Sequence, residues 1–274
     1  MIRRAKPLLG TLVEIAIVPD NKTTSDLNTQ QCNAAIMAAF SRIESISQQL
    51  SFHQLESQLT QLNRSPGQWC AFSRDGIRIL HLSRVLGRLT DNRFNCTVGG
   101  ELVNSGALPH LFEHTFLPQG TWQDIQLSHQ YAKLSRPVLV TLDGIAKGFA
   151  VDMAVSTLKR YGVKHGWVNA GGDLKVFGSV ELPVKQRTAN GLSEPTLLIN
   201  SALASSQVSN CFDKDYPAQI IANNELNTQW TTPTVISVQA KYAWRADALT
   251  KVAAMLPKQS YHLIDKLCGK VIQF

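Results

Sequence analysis

The residues of this chain best suited to chemistry lie between Val138 and Gly178. Gly144-Ile145-Ala146-Lys147-Gly148 opens a helical pattern, and Gly171-Gly172-Asp173 closes a short apolar run further on. Backbone N–H groups at a helix start, with glycines that allow close approach, form an anion site. Lys147 adds a point charge there, so the arrangement suits a diphosphate. The spacing is not that of a P-loop, which has four residues between its glycines and Ser or Thr after the lysine, nor that of GxGxxG. GIAKG alone is equally compatible with plain helix punctuation. A second glycine turn beside polar residues, Asn95 to Gly100 before Leu102-Val103-Asn104, is the other place where a ligand could meet the backbone.

These residues need elements to hold them. The β-branched run Val138, Val140, Thr141 reads as a buried strand ending at Asp143-Gly144. Phe149, Met153 and Thr157 then recur at helical spacing, with Lys159 and Arg160 in the last turn and Gly162 as the stop. Trp167-Val168-Asn169 reads as the next strand. Upstream, Thr11, Val13, Ile15 and Ile17 alternate as a first strand, and Asp20 to Thr29 is a polar loop. Ile36, Phe40, Ile43, Ile46 and Leu50 share one face of a helix. A short turn and helix covers Glu56 to Asn63, and Ile77, Leu80, Arg84, Val85 and Leu89 suggest another helix.

Composition bounds the function. The 274 residues, 44% hydrophobic and 17% charged, fit an ordinary soluble protein. A formal net charge of +7 favours anionic ligands, but no Lys/Arg run or aromatic–basic interleaving supports nucleic acid. The five cysteines are scattered and form no CxxC, which reads as reduced thiols. Arg3, Arg4 and Lys6 before Leu8 to Val18 imitate a signal peptide. Glu14 interrupts that stretch, however, and no small-residue cleavage site or lipid-attachment cysteine follows. With no run long enough for a transmembrane helix, the expectation is a cytoplasmic protein without a membrane span. His110-Leu111-Phe112-Glu113-His114 spells the inverted zinc-peptidase pattern, but Pro109 and Pro118 confine it and no third ligand is indicated.

Four segments resemble, in the same order, the flavin transferase family (ApbE-like, FAD:protein FMN transferases). Gly10 to Ile15 resembles its opening strand. Glu56-Ser57 with Leu59, Leu62 and Asn63 resembles its Ser-Glu-Leu…Leu-Asn segment. Phe94-Asn95-Cys96-Thr97-Val98-Gly99 with Leu102-Val103-Asn104 resembles its Phe-Asp-x-Thr-Val-Gly…Leu-Val-Asn loop. Gly144 to Asp152, with Asn169 and Gly171-Gly172-Asp173, resembles its longest signature. The resemblance implies an α+β fold of two α/β lobes with FAD bound between them. A single unit is expected, with lobe 1 over about residues 1–125 and lobe 2 over about 126–274, the boundary falling near 118 to 137. It further implies magnesium-dependent transfer of FMN from FAD to a Thr or Ser hydroxyl of a target protein, releasing AMP. On this sequence it makes Asn95, Thr97, Val98, Gly99, Asp143, Lys147, Gly171, Gly172 and Asp173 the contacts to FAD or an adenine nucleotide. Asp247 and Lys251 fall at the catalytic positions. Asp247 and the backbone carbonyl of the Gly144 turn fall at the metal positions.

The sequence also departs from that pattern. The family's metal Asp is followed four residues later by Thr, and here that residue is Lys251. Thr250 is no simple substitute, because one residue along a helix turns the side chain by about 100°. Gln219-Ile220-Ile221-Ala222-Asn223 matches His-Ile-Ile-Asp-Pro without its His and Asp, and Ala204-Ser205-Ser206 is a faint match to Ser-Gly-x-Tyr. Asn95 replaces an Asp, the tryptophan after Leu-Val-Asn is absent, and Leu142-Asp143-Gly144 replaces a double glycine. Asp247 and Lys251 are either an ordinary helix pair or an ammonium standing where the cation would be. The departures imply weakened transfer. They leave open a homologue that binds a flavin nucleotide or a partner protein without transfer.

Overall fold

The computed structural model describes residues 1–19, 27–188, 191–208, 220 and 234–272. Gln219, Ile221, Ala222, Asn223 and Cys211 therefore lie outside the described residues, as does most of the Asp20 to Thr29 loop. Contacts divide the chain into two compact units. The first takes Met1–Ser45, Lys147–Cys211 and Asn227–Phe274; the second takes Ile46–Ala146 and Phe212–Leu226. Among the described residues the chain passes between units at 45/46 and 146/147, and the N-terminal strand Thr11–Ile17 pairs with Gly166–Ala170.

The first unit is built on a seven-stranded antiparallel sheet. Its spatial order is Ile2–Leu8, Thr11–Ile17, Gly166–Ala170, Asp173–Phe177, Ala202–Val208, Thr234–Ala240 and Gly269–Ile272. Alternation along Thr11–Ile17 made that strand legible. The strand before it, Ile2–Leu8, is masked in sequence by Arg3, Arg4 and Lys6, which suit an edge strand. Leu9 and Gly10, with φ of 57° and 68°, close the hairpin between them. On one face of the sheet Ala16, Trp167, Leu174, Val176 and Leu203 pack with Leu198. The helix Ala243–Ala254 packs against the strands Ala202–Val208 and Thr234–Ala240. Helix Ala146–Arg160 is buried almost all round, including Phe149, Ala150, Val151, Ala154 and Leu158, and Gly162 (φ 85°) follows its last turn. No described helix is long and apolar enough to cross a membrane.

The second unit holds the helices Gln58–Arg64, Arg74–Leu89 and Gly99–Asn104, and a small sheet ordered Cys70–Ala71, Tyr131–Leu134, Ile125–Ser128. The long helix Thr29–Leu50 buries Ile36, Phe40, Ile43, Ile46 and Leu50, as its period requires. Helix Arg74–Leu89 buries Ile79, Leu80, Ser83, Leu86 and Gly87, whereas Leu89 is 58% exposed. The buried stripe is rotated from the expected one because its contact point is Gly87, where an added Cβ would lie 2.7 Å from the Trp122 Cβ. The expected strand at Val138–Thr141 is buried but is not a strand. Its polar groups are met by the Asn63 side chain, which both donates to the Val140 carbonyl and accepts from its N–H at 2.8 Å. The Thr141 N–H donates to the Cys96 carbonyl, and the Leu139 carbonyl accepts from the Gly99 N–H. A buried backbone needs partners, and side chains and loops serve as well as a ladder. The His110 to His114 segment forms no helix.

Candidate functional site

Two helix starts meet in the first unit, and each supplies a carboxylate to the other. Gly148 is the contact: a Cβ there would lie 2.3 Å from the Ala243 carbonyl oxygen, so only glycine lets the backbones approach this closely. Asp247, on helix Ala243–Ala254, accepts the Gly148 N–H through Oδ2 at 3.0 Å. Asp152, on helix Ala146–Arg160, accepts the Trp244 N–H through Oδ2 at 2.9 Å. Each carboxylate thereby satisfies an otherwise orphaned N–H and faces the positive end of the other helix dipole.

Charge is then layered onto this junction. The Lys251 ammonium lies 2.5 Å from Asp247 Oδ1, one helical turn along. Lys147, in the first turn of its helix, places its ammonium 3.8 Å from Oδ2 of Asp173. Asp173 is 4% exposed, and that oxygen accepts no hydrogen bond. Burial pushes the Asp173 carboxyl up to about 7, helped by the negative charge of Asp247 and opposed by Lys147 and Lys251. Two lysines and two carboxylates, from two pairs more than seventy positions apart in the chain, thus form one electrostatic cluster. Nearby, Lys175 is also buried; its ammonium donates to the Lys241 carbonyl, and burial lowers its pKa. Sequence reasoning missed Lys175, since a lysine in a strand reads as its solvated face.

Gly171 and Gly172 stand between Asn169 and Asp173 in the two-residue turn of a hairpin, with φ of 61° and 107° and Ala170 paired to Asp173. The Gly172 N–H donates to Asn169 Oδ1 at 3.0 Å, and a Cβ on Gly171 would lie 2.4 Å from Thr11 Oγ1. The turn carries the strand back so that the Asp173 side chain points into the cluster with Lys147.

The remaining expected residues lie in the second unit. Asn95 Oδ1 accepts from the N–H and hydroxyl of Thr97 at 2.9 and 2.6 Å, while its Nδ2 donates to the Gly120 carbonyl. Val98 precedes the helix Gly99–Asn104. A Cβ on Gly99 would lie 2.6 Å from the Leu139 carbonyl oxygen, and on Gly100 2.2 Å from that of Leu117. The packing of their own unit is therefore sufficient reason for both glycines. Asp143 is exposed, and its Oδ2 accepts the Thr141 hydroxyl at 3.1 Å; Gly144 follows it just ahead of the helix.

The residues present do not fit a divalent cation. Both oxygens of Asp247 are engaged, one by the Lys251 ammonium and one by a backbone N–H. Thr250 turns away, as its place on the helix requires: its hydroxyl donates to the Asp247 carbonyl and meets Ser206 Oγ at 2.7 Å. Among the described residues no group of three or more His, Cys, Asp or Glu could hold a metal ion.

Solved structures resemble the fold of the chain over nearly all of its length. The solved flavin transferase ApbE from Vibrio cholerae superposes with a TM-score of 0.73 at 16% identity, covering 98% of this chain and 92% of that one. The Pseudomonas stutzeri flavinyl transferase ApbE in its apo form gives 0.74 at 18% identity, covering 96% and 86%. The apbe protein of Thermotoga maritima gives 0.76 at 19%, covering 98% and 93%. At such identities these likenesses speak for the α+β fold. No curated protein matches. The sequence model of the ApbE family, however, matches residues 9–272, and the chain therefore belongs to the ApbE family.

Proposed function

We propose that this protein is a flavin transferase that binds FAD and moves its FMN moiety to a Thr or Ser hydroxyl of a target protein. The observation that carries the reading is the pair of ammonium groups, Lys147 in the first turn of helix Ala146–Arg160 and Lys251 on the Asp247 carboxylate that caps that turn, inside a chain that follows the ApbE family from residue 9 to 272. In the transfer, the acceptor oxygen bonds to the FMN phosphorus and the bridging P–O bond breaks. AMP leaves with the bridging oxygen, and the hydroxyl proton is released. Charge grows on the departing phosphate, and fixed cations at a dipole end stabilise it. The start of helix Ala146–Arg160 supplies that dipole end through its field, since its Gly148 N–H already donates to Asp247 and its Ala146 N–H to the Leu142 carbonyl.

Transfer by this protein is slow on this reading. A positioned proton acceptor typically contributes about 10²–10⁴-fold, and Gln219, which stands at the family's His position, accepts no proton at neutral pH. The test is incubation with FAD, magnesium and a peptide carrying an acceptor threonine, followed by mass measurement. A mass gain of one FMN moiety, with AMP released, is the expected result. No gain after prolonged incubation overturns transfer.

The Lys251–Asp247 pair favours a second reading, in which the chain binds a flavin nucleotide without transferring FMN. Calorimetry with FAD, FMN and AMP separates the two. Binding without any mass gain selects the second, and no heat with any of them removes both.

A further inference from the structure

The two ion pairs of the cluster are built alike. In each, a carboxylate is buried behind a more exposed ammonium: Asp247 at 0% behind Lys251 at 25%, and Asp173 at 5% behind Lys147 at 42%. Asp247 is the best-placed carboxylate for a metal, yet its two oxygens already have partners. A divalent ion would have to evict the Lys251 ammonium from a contact of 2.5 Å, or share the carboxylate with it against like-charge repulsion. The ammonium has three donors, one of which Asp247 takes, so its outer side can still meet a phosphate oxygen.

We infer that the Lys251 ammonium is the resident cation of this site, and that a nucleotide diphosphate is held here by fixed lysine charge without a divalent metal. The inference rests on the flavin-nucleotide reading for its ligand, but not for its ion. Asp247 then acts as a positioning residue: it pins Lys251 and, through the Gly148 N–H, the start of helix Ala146–Arg160. An ammonium carries a single charge and binds only through hydrogen bonds, so it holds a phosphate oxygen without polarising it or activating a hydroxyl as a divalent metal can, which separates tight binding from fast transfer.

Two measurements on the unaltered protein decide this. Calorimetric FAD affinity in EDTA should equal that in magnesium within about twofold. Mn²⁺ titrated in and read by electron paramagnetic resonance should show no bound ion that Asp247→Asn removes. Lys251→Thr, which takes away the ammonium and adds a hydroxyl, should acquire a dependence of FAD binding on magnesium. The inference is overturned if the unaltered protein loses about tenfold or more in FAD affinity on chelation, about 1.4 kcal/mol, and recovers it with magnesium. It is equally overturned by one Mn²⁺ bound to the unaltered protein and lost in Asp247→Asn. If FAD, FMN and AMP all fail to bind while Mn²⁺ is also refused, the flavin reading falls and takes the diphosphate half of the inference with it, leaving only the exclusion of the metal by Lys251.

Discussion

Replacing Asp247 by alanine distinguishes an ordinary helix pair from a buried keystone. An exposed pair at i,i+4 contributes about 0.3–0.5 kcal/mol, whereas removing one partner of a buried pair costs about 3–5 kcal/mol. Asp247 is fully buried, with Lys251 at 2.5 Å on one oxygen and the Gly148 N–H at 3.0 Å on the other. The substitution therefore strands an ammonium at 25% exposure and a helix N–H together. One effect opposes this: removing the Asp247 charge relieves Asp173, whose carboxyl that charge helps to raise. The expected loss is about 3 kcal/mol, near the lower end of the buried range. For a chain of this size that is a fall of about 6–12 °C in Tm. Urea denaturation at neutral pH should agree, with Asp247→Asn less harmful because the amide oxygen still accepts from Gly148. A double variant, Asp247→Ala with Lys251→Met, should lose less than the sum of the singles by about 1–3 kcal/mol. A cost below about 1 kcal/mol for Asp247→Ala, with additive singles, would refute the keystone and return the pair to the surface class.

Other outcomes follow from the same geometry. Asp173 holds its proton in the folded state up to about 7 against an ordinary value of 3.8, so the folded form binds more protons between those limits. Its contribution to stability therefore falls as pH rises through that window; Asp173→Asn should flatten the slope of the unfolding midpoint, and an unchanged slope would contradict the assignment. Asn63→Ala orphans both the N–H and the carbonyl of buried Val140 and should cost about 2–4 kcal/mol in chemical denaturation; a loss under about 1 kcal/mol would show that these groups find other partners. Gly148→Ala forces a Cβ against the Ala243 carbonyl and should cost about 1–3 kcal/mol, with weakened FAD binding by calorimetry. Lys147→Ala should weaken FAD more than FMN, since the lysine is read as a diphosphate contact; an equal effect on both ligands would return it to the solvent.

The sequence by itself determined the elements whose signal is periodic and local. The helix over Thr29–Leu50 and the one over Ala146–Arg160 follow from apolar spacing and stop residues, and alternation marks Thr11–Ile17. The ordered segments from Gly10 to Asp173 were enough for the family, because special turns and charges at fixed spacing are legible in a single sequence. Local pattern could not say what meets a buried backbone. Val138–Thr141 has the composition of a strand, yet its partners are the Asn63 amide and a loop, a choice made by residues 77 positions away. Nor could it distinguish the uses of glycine: Gly171 and Gly172 turn a hairpin, Gly148 admits another helix, and Gly99 packs on Leu139. The Asp247–Lys251 pair was visible in the sequence, because four residues bring two side chains onto one helix face. Its weight was not. That depends on the Gly148 N–H, 99 residues earlier in the chain, and on complete burial, and both exist only once the two helix starts have been packed together.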